Sequence, residues 1–176
     1  MSTVTLLLFL GLAVATDLAA SRVPNWLTLS AALAGVGFSL TAGGIGFGQA
    51  LGGGAMGLAV FIPLYAFRAI GAGDVKLMIA AGTYLGMAGS LAAAVYALVL
   101  GGVVALGYAW NKGAAGQLWR NLRLFFYSSA AYLADRSLPR ADDMPLSKLR
   151  APYAIAIAAG VALHLLTRHD FGAAMP

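Results

Sequence analysis

Residues 75–110 read VKLMIAAGTYLGMAGSLAAAVYALVLGGVVALGYAW, thirty-six residues with a single charge, Lys76. A membrane-spanning helix uses about 20 mainly apolar residues, with a range of about 17–25. The run is too long for one crossing and long enough for two short ones. Only Met87-Ala88-Gly89-Ser90 separates the halves, which predicts spans over 75–89 and 90–110 joined by a tight turn. Gly82 and Gly86 would let a neighbouring helix approach the first of them closely.

The same composition extends outward. The chain has 176 residues, 61% hydrophobic and 10% charged, with mean hydropathy +0.84. Soluble domains carry about a quarter charged residues, so this chain lacks the charge to cover a water-facing surface. Four further stretches, roughly 3–20, 26–42, 48–67 and 151–167, are apolar over nearly a span's length. The expected fold is all-α: one membrane-embedded domain over 1–176, polytopic, with about six transmembrane helices in the lipid bilayer.

Basic residues orient such a chain. With the loop containing Arg22 placed inside, Arg68, Lys76, Lys112, Arg120, Arg123, Arg136, Arg140, Lys148 and Arg150 also fall inside, and Arg168 alone falls outside. That division predicts six spans with both termini outside. The net charge of +5 is thereby assigned to topology, and no nucleic-acid partner is expected. Leu6 to Leu12 followed by Ala13-Val14-Ala15 has the look of a signal-peptide core, but no basic residue precedes it and Arg22 follows it. A retained first span is the expectation.

Residues 43–57 are glycine-rich, with Gly44, Gly48 and Gly52 four apart. They lack the strand, turn and Lys-Ser/Thr of a phosphate loop, so close helix packing, with a short outer turn before it, is expected of the run. The long polar segment 111–150 predicts a cytoplasmic loop with an amphipathic interfacial helix, carried by Leu118, Leu122, Phe125, Phe126 and Leu133. Asp135, Asp142 and Asp143 read as its solvated charges.

Cysteine and glutamate are absent, and aspartate occurs six times. Thiol chemistry and disulfides are thus excluded. No metal site, cofactor fingerprint or serine triad is visible; His164, near the outer end of the last span, reads as packed or interfacial rather than as a ligand, and His169 falls in the outer tail. Two aspartates resist a surface reading. Asp17 lies at the inner end of the first span, and Asp74 lies where a cytoplasmic loop re-enters the membrane, after Gly71-Ala72-Gly73. Carboxylates at membrane depth are costly and mark function. Both fall on the same side under a topology derived from Lys and Arg alone. Two close carboxylates share one proton, leaving one as base and one as acid, which suits peptide hydrolysis. The helix N-terminus and Lys76 both favour the anion of Asp74. The plainer readings are an N-cap for Asp74 and an ion pair with Arg22 for Asp17. A transporter or proton channel would also place acids in the membrane, but spread through its thickness. A non-catalytic assembly subunit would not need Asp17 and Asp74 together.

The stretch Gly71-Ala72-Gly73-Asp74-Val75-Lys76-Leu77 resembles the GxGD signature of the type IV prepilin peptidases. Thr16-Asp17 through Ser21-Arg22-Val23-Pro24-Asn25 is similar to that family's first catalytic segment, 57 residues earlier. Ala151-Pro152-Tyr153-Ala154-Ile155-Ala156 is similar to the opening of its last span. The resemblance implies an aspartic endopeptidase of the bacterial inner membrane with its site facing the cytoplasm. Its catalytic residues would be Asp17 and Asp74, its supporting residues Gly71, Gly73, Lys76, Arg22, Pro24 and Asn25, and its substrates prepilin or pseudopilin precursors; it needs no cofactor. Bifunctional members carry two Cys pairs in a long insert and also N-methylate. This chain has neither Cys nor insert, and so resembles the peptidase-only, CpaA/TadV-like branch. Archaeal preflagellin peptidases share the motif, which leaves either substrate open.

Overall fold

Lipid offers no partners to backbone N–H and C=O groups, and a helix satisfies them within one segment. The computed structural model describes residues 2–20, 22–66, 70–111, 116, 123 and 153–173. Five helices hold most of them: α1 (Ser2–Ala20), α2 (Asn25–Ser39), α3 (Phe47–Ala66), α4 (Ala72–Asn111) and α5 (Tyr153–Ala173). Among the described residues there is no strand, and the fold is all-α. Ser2–Ala20, Phe47–Ala66 and Ala72–Val104 are long and apolar enough to cross a membrane, and Tyr153–Arg168 is a shorter apolar helix. The 15 residues of α2 rise about 22 Å, against a hydrocarbon core of about 30 Å. Among the described residues, length and composition alone mark three candidate crossings and do not by themselves establish the expected six. The expected interfacial helix and loop over 111–150 lie, apart from Asn111, Gly116 and Arg123, outside the described residues.

One of the five helices is not a single rod. Within α4, Gly86 sits at φ 72° and ψ 179°, a conformation that glycine reaches without a Cβ penalty. The chain folds back there. Ser90 Oγ lies 2.9 Å from where a Cβ on Gly82 would stand, although eight residues of straight helix would separate them by about 12 Å. Gln49 of α3 holds the bend, its Oε1 accepting the Met87 N–H at 3.3 Å. The turn expected at Met87–Ser90 thus pivots one residue earlier, on the residue whose backbone permits it. The result is two antiparallel arms, 72–85 and 87–111.

Against the first arm lies α3, running the opposite way with Gly53 facing Gly82 and Gly57 facing Met78. A Cβ on either Gly53 or Gly82 would strike the other's carbonyl oxygen, and one on Gly57 would stand 2.7 Å from the Met78 oxygen. Within the 43–57 run the packing is uneven along α3. Gly48 has nothing within 4 Å and Gly52 meets only the Met87 side chain. Strict four-residue spacing drifts off a 3.6-residue face, whereas the buried face of α3 is Ala50, Gly53, Gly54, Gly57 and Phe61.

Along the second arm, α5 runs antiparallel, with Tyr153 beside Gly101, Gly160 beside Ala93 and Ala97, and His164 beside Gly89. On the first arm, Gly35 of α2 packs against Thr83 and Tyr84. Only Leu6, Leu10 and Ala13 of α1 are buried. These registers gather the end of α1, the start of α2, the start of α4 and the start of α5 at one end of the bundle. The α2–α3 turn, with Gly43 and Gly46 at positive φ, lies at the other with Gly86 and His164.

Candidate active site

The first turn of α4 builds one half of the candidate site. Ala72, Gly73 and Asp74 open the helix, and Asp74 reaches back so that its Oδ2 accepts the Gly71 N–H at 2.9 Å. The Gly71 carbonyl in turn accepts from the Asp74 N–H at 3.1 Å and the Val75 N–H at 3.4 Å. This is the acidic half of a capping box, an acid in the third helical position answering the residue before the first. The helix dipole adds to its preference for the anion. The N-cap weighed for Asp74 from sequence falls on Gly71 instead; Asp74 answers it from the third position, which fixes the carboxylate without burying it, since Asp74 stays half-exposed. Neither Gly71 nor Gly73 has positive φ. Their small size serves the packing: a Cβ on Gly73 would stand 3.4 Å from Val23 Cβ, and one on Gly71 would stand 3.2 Å from Asp74 Oδ2.

The α1–α2 connection builds the other half. Asp17, half-buried, lies one turn before the end of α1, and Thr16 bonds back to the Ala13 carbonyl at 3.0 Å. Arg22 is exposed, and among the described residues no ion pair joins it to Asp17. Pro24, at φ −64° and ψ 139°, precedes α2 and its carbonyl accepts from Leu27 and Thr28 at 3.2 and 3.3 Å. A proline suits a helix start because its missing N–H would have no partner there. Asn25 then opens α2, and its Oδ1 accepts Lys76 Nζ at 2.9 Å across 51 residues of sequence. From sequence, Lys76 was expected to bias Asp74; its ammonium also ties the start of α4 to the start of α2 through Asn25.

Two contacts, Val23 on Gly73 and Lys76 on Asn25, thus bring the two acidic segments to one end of the bundle. Sequence reasoning quoted both segments but did not foresee that Lys76 and Val23 would be the links. It also assigned no role to Tyr153, which lies within electrostatic reach of Asp74. The Pro-Tyr at the start of the last apolar stretch was its only signal. Trp26 is 68% exposed at this end, where an aromatic ring suits the membrane interface. Among the described residues no group of His and acidic side chains could hold a metal ion.

Fold and site together define a class, a helical membrane protein with two acidic segments held at one end of its bundle. The sequence model of the type IV leader peptidase family matches residues 4–106. That is more than half of the chain and takes in both segments, and the chain belongs to this family. It is a membrane protease of the prepilin peptidase kind. No curated protein and no solved structure matched it.

Proposed function

We propose that the chain is an aspartic endopeptidase that removes the leader peptides of type IV or Flp-like prepilins and pseudopilins, with Asp17 and Asp74 as its catalytic pair. The observation that carries this reading is the double link, Val23 to Gly73 and Asn25 to Lys76, which draws the two aspartate segments to the same end. An anionic Asp74 serves as base, taking a proton from water as the water oxygen attacks the scissile carbonyl. A protonated Asp17 donates to the carbonyl oxygen. Collapse of the tetrahedral intermediate breaks the C–N bond and returns a proton to the leaving amine. The pair titrates as a unit, so the pH profile is bell-shaped and reports macroscopic values.

This end faces the cytoplasm of a bacterial inner membrane. Arg22 and Lys76 lie here and Arg168 lies on the last turns of α5 at the opposite end, a placement that supports positive-inside orientation. Counting the α4 arms separately, the chain crosses six times, with α2 as a short crossing. Without the cysteine-bearing insert of the bifunctional enzymes, it cleaves and does not methylate.

Co-expression with a prepilin tests the assignment. Asp17→Asn and Asp74→Asn each leave the protein in the membrane and abolish cleavage, because an amide keeps the size but serves neither as base nor as proton donor. Processing by either variant at more than a few per cent of the wild-type rate removes that aspartate from the chemistry.

A further inference from the structure

The lipid-facing side of α2 has a length that its residues set. Trp26, Leu29, Leu33, Gly37 and Leu40 are all exposed, and spacing by threes and fours puts them in one stripe. From Trp26 to Leu40 the stripe rises about 21 Å. The first arm of α4 lies alongside, joined to α2 by Lys76 and Asn25 near one end and by Thr83 and Gly35 near the other. It covers 72–85 and is as short, about 21 Å. The hydrocarbon core of a bilayer is about 30 Å thick, which α3 and α5, with 20 and 21 residues, match. Both ends of the short stripe call for water. At one end α2 follows Pro24 with no side chain capping its first N–H groups, Arg22 and Lys76 stand exposed, and Trp26 suits the headgroup level. At the other end residues 41–44 form an exposed turn, and irregular backbone is not tolerated against lipid. Tilting only shortens the reach of a helix and glycines cannot snorkel, so neither closes a gap of about 8 Å.

We propose that the bilayer thins locally along α2, so that phospholipid headgroups and cytoplasmic water come down to the level of the aspartate segments. The inference rests on the reading of α2 as a short crossing with the aspartates at the inner face. The register of α3 gives the depth. Gly53 faces Gly82 and Gly57 faces Met78, so in this antiparallel pair Phe61 falls opposite Asp74. From Phe61 the helix runs on to Ala66, about 7 Å further. The Asp74 carboxylate therefore lies that far beneath the inner end of a helix of full crossing length. In a flat bilayer this level belongs to acyl chains, where a carboxylate is costly. In a thinned one it is wetted, and a precursor peptide meets the aspartates at the depressed surface. The partner of the α2 face is thus a lipid leaflet drawn toward the bilayer centre, and shorter acyl chains fit it with less deformation.

The test needs no catalysis and uses the full chain in phosphatidylcholine vesicles. Trp110→Phe and Trp119→Phe leave Trp26 as the one tryptophan. Brominated phosphatidylcholine quenches its fluorescence, and unbrominated lipids with fourteen, eighteen or twenty-two acyl carbons compete for the same contacts. At Trp26 the fourteen-carbon lipid is expected to compete about threefold better than the twenty-two-carbon lipid. Leu8→Trp, with Trp26→Phe added, probes α1, which has 19 residues. There the eighteen-carbon lipid is expected to compete best. Equal competition at Trp26, or the same short-chain preference at both probes, overturns the inference. Because the chain has no Cys, Ala20→Cys and Thr41→Cys report the crossing itself through an impermeant maleimide. If both label from the same side, α2 does not cross, and the short-crossing reading fails together with the thinning. If they label from opposite sides while Trp26 shows no short-chain preference, the thinning alone fails.

Discussion

The seam between α3 and the first arm of α4 and the seat of α1 are built in opposite ways. In the seam, backbone meets backbone at Gly53 and Gly82, and side chains are absent where they would intrude. At the seat, α1 touches α2, α4 and α5 lightly and buries only Leu6, Leu10 and Ala13. Its Val4, Leu8, Leu12 and Leu18 stand more than half exposed, a face for lipid. Lipid tails are as apolar as leucine, so helices in a membrane gain little by burying such side chains and much by close backbone packing. Asp74 rides on the tightly packed partner. Asp17 rides on the lightly packed one and is tied to the rest by the short connection through Val23 and Asn25. The difference says that one aspartate is held by the frame and the other by a clasp.

A methyl group placed in the seam is the hardest test of this contrast. Gly82→Ala sets its Cβ against the Gly53 carbonyl, with the carbonyl carbon 2.6 Å away. It should cost about 3 kcal/mol and lower the unfolding temperature in detergent markedly. An unaltered midpoint would show that α3 can move away freely and that the seam is not the frame.

Opening the clasp is a smaller perturbation with a larger functional share. Lys76→Met removes an exposed hydrogen bond and should cost about 1 kcal/mol of stability, while cleavage falls by more than that loss explains. Asn25→Ala should do the same, and the double variant should be no worse than either single one. Full additivity in cleavage assays would mean that the pair does not act as a unit.

The mildest change sharpens the comparison from the other side. Gly11, on α1, has nothing within 4 Å of its Cβ position. Gly11→Ala should therefore raise stability by about 0.5 kcal/mol, through the unfolded chain's lost freedom, and leave cleavage at the wild-type rate. The same substitution thus has opposite signs in the two regions. A loss at Gly11 comparable to that at Gly82 would erase the distinction.

Much of this was legible in the residues. Apolar runs located the helices because a segment in lipid must satisfy its own backbone. The scarcity of acids made Asp17 and Asp74 stand out, and the GxGD stretch with its partner segment pointed to the family that the chain proved to belong to. The glycine reading held for the run as a whole, with a turn at Gly43 and Gly46 and close packing at Gly53 and Gly57. Composition shows that α3 packs closely but not that Gly53 and Gly57 meet backbone while Gly48 meets nothing, because the face is chosen by the partner helix.

By itself, then, the sequence determined what is local: helix positions, the uneven division of basic charge, and two carboxylates where carboxylates are costly. Tertiary structure decided what depends on distance in space. The pivot at Gly86 depends on Gln49 reaching across from α3 to hold it. The bond from Lys76 to Asn25 spans 51 residues, and no periodicity encodes it. Phe61 meets Tyr153 edge-on only because α3 and α5 each take their register from an arm of α4, at Gly57 and at Gly160. Each of these is a choice of partner, and partners in a membrane bundle are selected by close shape fit between helices, which no single helix carries in its own pattern.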